Sequence, residues 1–322
     1  MARGQLAKYN YFANDHIDIH GAIEGFLDFC RVKNLSENTI IYYNYRLTAF
    51  QRYLKEIAPE AILADVTPQM LRGFIVQQTQ INSASTANHS IITLRTFFNY
   101  LVKEGFLDTS PTAGISKVKR RKTIIETFSI EQIEGMLKTC GHDFTGVRDK
   151  AILLTLFDCG IRASELGTIK LSDVSWTDQT ILIIGKGDKE RVVPFGKATR
   201  QALSAYVIHR GELPSDRLFV TCYGEEIYRN RLAQIVTKRA KAAKITGVRC
   251  SPHTFRHTFA VSYLRAGGDV FTLQKILGHS DLSMTRRYVE VSQTDVQEKH
   301  RMYSPGDRIQ LAGQSIHRTR LK

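Results

Sequence analysis

Apolar residues recur at three- and four-residue intervals along most of this chain, the spacing that gathers them on one face of a helix. From Ile19 to Cys30 they fall at Ile23, Phe26, Leu27 and Phe29. Ser36 reads as an N-cap with Glu37 in the first turn, opening a long helix to about Ile57. Thr67 followed by Pro68 is a cap with proline at the first helical position, and predicts a third helix to about Gln80. Ser85 or Thr86 opens a fourth, whose stripe of Ile91, Leu94, Phe97, Phe98 and Leu101 is core. The pattern then stops at Ser110–Pro111 and Gly114.

It resumes with Ser129 and Gln132, a capping box for a helix through Leu137. A helix over Arg148 to Asp158 carries Ile152, Leu153, Leu156 and Phe157 and ends at the stop signal Gly160. The period changes at Thr180 to Ile184 and again at Arg191 to Phe195, two β-branched runs around Gly185–Lys186–Gly187–Asp188, which predict a hairpin. Helices follow at about Lys197 to His209, Asn230 to Ala243, His253 to Ala266 and Phe271 to Gly278. The fold class is therefore mainly α with a small antiparallel β-sheet. Residues 1–16 read as an extension, 17–108 as a four-helix domain, 109–126 as a linker, 127–303 as an α+β domain and 304–322 as a tail.

Charge adds a partner to this outline. The formal net charge is +14, a surplus that suits a polyanion, most simply nucleic acid. The linker concentrates it in KVKRRK, where Lys117, Lys119, Arg120, Arg121 and Lys122 repel one another and can track phosphates. The fourth helix presents Asn88, His89, Thr93 and Arg95 away from its aromatic stripe, side chains suited to a major groove or a phosphate backbone. No apolar run is long enough to span a bilayer, so no membrane is expected. Cys30, Cys140, Cys159, Cys222 and Cys250 are scattered without a CxxC pair, which speaks against zinc and fits a reducing cytoplasm.

The candidate chemistry lies in the second half. Ser251–Pro252 starts a helix on which His253 and Arg256, three positions apart, share one face at an anion-favouring N-terminus. Arg162 follows a helix stop and has Glu165 three residues on; Lys186 sits in the glycine-flanked turn; His279 and Tyr288 lie near the end. The GKGD turn lacks the spacing of a phosphate-binding Walker loop. Two arginines, a lysine, two histidines and a phenol suit phosphoryl transfer. The arginines would hold non-bridging oxygens and stabilise a pentacoordinate transition state, the phenol would attack, and Lys186 would protonate the departing sugar oxygen. The sequence shows no carboxylate cluster for two magnesium ions. Such a reaction needs no metal and no nucleotide cofactor.

In order, CGIRASEL, IIGKGDKERVVPFG, SPHTFRHTFA and LGHSDLSMTRRYVEV resemble the four active-site boxes of the tyrosine recombinases, the lambda-integrase and Xer-type family. The segment STANHSIITLRTFFNYLVKEGFL is similar to that family's core-binding domain, and the resemblance runs from about residue 18 to 303. It implies a SAM-like core-binding domain and a catalytic domain forming a clamp on double-stranded DNA. It implies catalytic roles for Arg162, Lys186, His253, Arg256 and His279, with Tyr288 as nucleophile and Glu165 in support. Met284 stands where threonine is common and is read as packing variation. Strand exchange would run through a 3′-phosphotyrosyl intermediate and a Holliday junction in a homotetramer, with residues 292–312 docked on a neighbouring protomer. The family leaves room for an accessory DNA-bending or directionality protein, and the setting would be a bacterial cytoplasm at the DNA. The long segment past Tyr288 and the pronounced linker favour integration and excision of a phage or transposon, with chromosome or plasmid dimer resolution as the alternative. A regulator that had lost its chemistry, a type IB topoisomerase or telomere resolvase, and a basic membrane-surface protein explain fewer of these residues.

Overall fold

The computed structural model describes residues 18–119, 125–185, 189–292, 300–302 and 304–305, with the backbone alone for residues 290–292. The chain divides into two compact units, Met1–Thr123 and Ile124–Lys322.

The first unit holds four helices among its described residues: α1 (Ile19–Val32), α2 (Glu37–Ile57), α3 (Pro68–Ile81) and α4 (Ala84–Lys103). Capping sets their starts. Asp18 accepts from the Gly21 amide at 2.7 Å, and Thr67 from the Met70 amide at 3.3 Å ahead of Pro68. Ser36 precedes α2 in extended conformation, but its hydroxyl pairs with the Thr39 hydroxyl at 2.8 Å instead of a backbone amide. The fourth helix begins earlier than Ser85 or Thr86, because Ser83 supplies the cap by accepting from the Thr86 amide at 3.2 Å. The aromatic stripe is core as expected. Phe97 meets Phe26 edge-on with centroids 5.5 Å apart, and Phe50 meets Phe74 in the same way at 5.3 Å.

The same helix corrects the expectation for its polar side chains. Asn88 and Thr93 are buried, at 3% and 0% exposure. The Asn88 amide donates to the Val118 carbonyl at 2.9 Å and its oxygen accepts from the Val118 amide at 2.7 Å. Arg95, half-buried, donates to the Ile115 carbonyl at 2.7 Å. Asn88 and Arg95 therefore pin the chain that leaves α4 back onto it. Of the group, His89 is exposed, with the Tyr42 ring edge-on 6.0 Å away. Lys117 and Lys119 are also exposed, while Arg120, Arg121 and Lys122 lie outside the described residues.

The second unit opens with α5 (Ile130–Lys138), where the Ser129–Gln132 capping box forms in both directions, and α6 (Phe144–Cys159). The latter starts one turn before Arg148, because Asp143 caps it by accepting from the Gly146 amide at 3.2 Å. A single turn, α7 (Ala163–Leu166), leads into strands β1 (Val174–Ser175), β2 (Thr180–Ile184) and β3 (Glu190–Pro194). They form an antiparallel sheet in the order β1-β2-β3, with Ile181 opposite Val193. The two-residue β1 is too short to show alternation, so the hydrophobic pattern does not announce it. Helices α8 (Lys197–Arg210), α9 (Arg229–Ala242), α10 (Pro252–Arg265), α11 (Val270–Leu277) and α12 (Leu282–Ser292) complete the unit. Ile152, Leu153, Leu156, Ile181, Val193, Leu203 and Phe255 lie in one apolar core, which ties α6, the sheet, α8 and α10 together.

A buried ionic group joins α6 to α9. Asp149, 1% exposed, accepts from Arg148 Nη2 at 2.8 Å and from Arg239 Nη2 at 2.6 Å. Removing one partner from a buried ion cluster strands the others, a loss of roughly 3–5 kcal/mol. Asp149→Ala should therefore lower the unfolding free energy of this unit by that order in a denaturant titration, far more than an exposed-surface change would. In the first unit, Asn88→Ala unpairs both backbone groups of Val118. It should cost about 1–3 kcal/mol and speed hydrogen exchange at the Val118 amide.

Candidate active site

Three segments of the second unit meet at one guanidinium. The α10 helix begins at Pro252, and the Ser251 hydroxyl accepts from the Thr254 amide at 3.2 Å, so Arg256 falls in its second turn. Arg256 is 4% exposed. It donates to the Gly160 carbonyl at 2.8 Å, to the Leu277 carbonyl at 2.7 Å and to His279 Nε2 at 2.9 Å. Both carbonyls come from helix ends stopped by glycine in the left-handed conformation, Gly160 at φ 58° and Gly278 at φ 63°. A Cβ at Gly160 would stand 2.2 Å from the Phe259 ring, so space as well as dihedral demands glycine there. Burial, followed by the charge of Arg162, lowers the Arg256 pKa to about 10, which leaves it protonated at neutral pH.

A second cluster stands on α7 and the sheet. Glu165, 6% exposed, accepts from the Arg162 amide at 2.8 Å and from Arg162 Nη1 at 2.7 Å. Its two oxygens also accept from Arg191 Nη1 at 3.1 Å and Nη2 at 2.8 Å. Burial alone would raise the Glu165 pKa, but the hydrogen bonds from Arg191 and Arg162 outweigh it and hold the carboxylate below its ordinary value. Arg162, Glu165, Arg191, Gly185, Lys189 and His279 line a cavity of about 1000 Å³. Lys186 lies outside the described residues; Gly185 and Lys189, on either side of residues 186–188, are joined by a 2.8 Å backbone bond.

Tyr288, 2% exposed, sits on α12 between two imidazoles. Its hydroxyl is 2.8 Å from His257 Nδ1, and its ring lies 12° from parallel to that of His279. Because Arg256 can only donate, His279 Nε2 is the acceptor. The hydrogen-bond network thus assigns the proton to Nδ1, which donates to Thr285 Oγ1 at 2.9 Å. Burial first, then neighbouring charge, pushes both His257 and His279 down to about 4. The added charge comes from His253 and Arg287 at His257, and from Arg256 and Arg162 at His279. Both rings are neutral at pH 7. Burial raises the Tyr288 pKa against the pull of Arg256, Arg287 and Arg162, so the phenol keeps its proton. His253 is exposed, with its ring 5.9 Å from that of His257, and desolvation followed by the charge of Arg256 lowers its pKa.

Arg162, Glu165, His253, Arg256, His279 and Tyr288 are thus gathered in one region. Three participants were not singled out from the sequence. His257 follows Arg256 directly and is four residues from His253, one helical turn on. Arg191 shares the inward side of β3 with Val193, and an arginine at such a position needs a buried partner. Thr285 is fully buried, while Met284, expected to be packing variation, is 41% exposed. The threonine that serves His279 is the next residue along.

The family described as the phage integrase family matches residues 126–295, and the phage integrase N-terminal SAM-like domain matches residues 23–105. Tyrosine recombinase XerC of Thermodesulfovibrio yellowstonii is 34% identical over 280 residues, 84% of this chain and 91% of the relative. Tyrosine recombinase XerD of Proteus mirabilis is 32% identical over 314 residues, 95% of this chain and 99% of the relative. The crystal structure of XerH site-specific recombinase bound to palindromic difH substrate, a post-cleavage complex, shares the fold with a TM-score of 0.72 at 22% identity. That match covers 90% of this chain and 85% of the other. Two matched domains and near full-length relatives accompany a buried tyrosine set among arginines and neutral histidines, and on these grounds the chain belongs to the phage integrase family of tyrosine-type site-specific DNA recombinases.

Proposed function

We propose that Tyr288 cuts one DNA strand at a time and that the chain resolves chromosome or plasmid dimers. The convergence of Arg162, Arg256, His279 and Tyr288 from separate elements of one unit is the observation that carries the chemistry. Arg162 and Arg256 hold the non-bridging oxygens of the scissile phosphate and stabilise the charge of its pentacoordinate state. The Tyr288 oxygen attacks phosphorus, the bond to the 5′ oxygen breaks, and a 3′-phosphotyrosyl link remains beside a free 5′-hydroxyl. The phenolic proton has an acceptor in place, the neutral His257 Nδ1 at 2.8 Å. Lys186 supplies the proton that the leaving oxygen takes up. The new ester conserves the energy of the old one, so the hydroxyl of a partner strand can reverse the step. Four protomers on two sites would pass through a Holliday junction this way. The exchanged segment 292–312 and a DNA-bending or directionality partner belong to the same reading, although residues 293–299, 303 and 306–312 lie outside the described ones.

The biological role reverses the order of the sequence-based expectation, which put phage or transposon integration first on the length past Tyr288. The XerC and XerD relatives match over 91% and 99% of their own lengths, which supports dimer resolution instead. The positive charge and the exposed Lys117 and Lys119 support DNA as the polyanion. Among the described residues, no helix is long and apolar enough to cross a membrane.

Covalent capture tests the chemistry. Sheared DNA from the encoding genome, incubated in EDTA without nucleotide, should yield a denaturant-stable adduct on a peptide containing Tyr288. Sequencing the attached DNA would locate the site. Tyr288→Phe should form no adduct while binding the captured duplex with unchanged affinity; an adduct that persists in that variant places the nucleophile elsewhere. The histidines predict a pH response. Their folded values of about 4 lie below the ordinary 6.5, so the unfolded chain binds more protons in between. Stability of the second unit should be full above pH 6.5 and fall as the pH drops towards 4, with His279 contributing about 3 kcal/mol across the window. Urea unfolding at stepped pH reads this directly. His279→Gln should flatten the slope, and an equally steep slope in that variant would contradict the assignment.

A further inference from the structure

We infer that Arg191 is a positioning residue for strand cleavage, one that holds Arg162 and the His279 loop at a set separation and keeps the Arg162 charge available to the phosphate. The inference rests on the recombinase reading above and goes beyond it to a residue outside the candidate catalytic set.

Three N–H groups of Arg191 are engaged at once. Nη1 and Nη2 grip the two oxygens of Glu165 at 3.1 and 2.8 Å, and Nε donates to the Ile276 carbonyl at 2.8 Å. A planar guanidinium can fill this fork and a lysine cannot. The side chain is 13% exposed, so its bonds are little diluted by water. Glu165 carries Arg162 through both the backbone amide and Nη1, so the orientation of Arg162 depends on where the carboxylate is held. Ile276 precedes Leu277, whose carbonyl Arg256 grips, and lies three residues before His279. Gly278 packs directly on the same side chain, since a Cβ there would stand 3.0 Å from Arg191 Cδ, Nε and Nη1. Through one side chain, β3 therefore sets α7 against the end of α11.

The charge balance gives Arg191 a second effect. One carboxylate shared by two guanidiniums leaves a net positive charge beside the cavity. Without Arg191, Glu165 would neutralise Arg162 one for one, and the field offered to a bound phosphate would fall. A purely structural ion pair would have no such consequence, and substrate charge separates the two cases.

The test uses the full chain and a nicked suicide duplex of the captured site. A second, matched duplex carries a methylphosphonate at the scissile position, which removes one anionic oxygen. With phosphate, Arg191→Ala should slow single-turnover adduct formation by about 100-fold, with duplex affinity within about threefold of the parent. With methylphosphonate the loss relative to the parent should shrink to below about tenfold, because the neutral linkage demands less positive charge. Arg191→Lys keeps the charge without the fork and should restore part of the phosphate rate. Should the alanine variant fail to fold, the lysine variant decides alone, with an expected loss of about tenfold on phosphate and a smaller one on methylphosphonate. A cleavage rate within threefold of the parent, or equal losses on both duplexes, would overturn the inference. If the parent itself forms no adduct on either duplex, it is the recombinase reading that fails.

Discussion

A buried guanidinium that keeps its charge is the constraint on which the catalytic unit depends. Taking such an ion out of water costs several kcal/mol. Among the described residues, the hydrogen bonds of Arg256 go to two carbonyls and one imidazole rather than to a carboxylate. Those bonds offset the desolvation without cancelling the charge. The cation is fixed in place and keeps its charge. Its two carbonyls are those of Gly160 and Leu277, so the ends of α6 and α11 are drawn to α10 by one charged group. The glycine stops at the ends of those helices therefore belong to the same arrangement as the arginine.

Burial first, with neighbouring positive charge adding to it, sets the state of the surrounding histidines. Histidines beside buried arginines are held neutral, so His279 can accept from Arg256 through Nε2 while Nδ1 is anchored on Thr285. His257, neutral for the same reasons, can stand as an acceptor beside the Tyr288 hydroxyl. Burial keeps the phenol protonated despite the cations around it. The Tyr288 phenol is thus protonated beside a neutral imidazole, while Arg162 is held separately by Glu165, which Arg191 also grips. Two arginines of one unit are handled in two ways, Arg256 by neutral acceptors and Arg162 by a carboxylate that it shares with Arg191. Through Glu165, the position of Arg162 is tied to Arg191 on β3, well separated from it in the sequence.

In the first unit, polar side chains of α4 hold the chain that follows the helix. The reciprocal bonds between Asn88 and Val118, and that from Arg95 to Ile115, satisfy backbone groups that no helix or sheet would otherwise pair. The chain leaving α4 is thereby ordered up to the basic segment. His89, Lys117 and Lys119 are left exposed.

The sequence by itself determined the periodicity of the long helices, the caps at Thr67, Ser129 and Ser251, the hairpin, and the four motifs that carry Arg162, Lys186, Arg256, His279 and Tyr288. These are local signals: a hydrophobic repeat, a capping side chain or a glycine stop acts within a few residues, so it can be read without knowing the fold. Sequence did not reveal that Ser83 caps α4, that Asn88 turns inward, that Met284 is exposed while Thr285 holds His279, or that His257 meets Tyr288. Nor could it show that one carboxylate, Glu165, would serve both Arg162 and Arg191. Each of these depends on which distant segment arrives at a polar group once the cores have packed, and a buried donor or acceptor takes the partner that packing brings to it. Only the tertiary structure decided that.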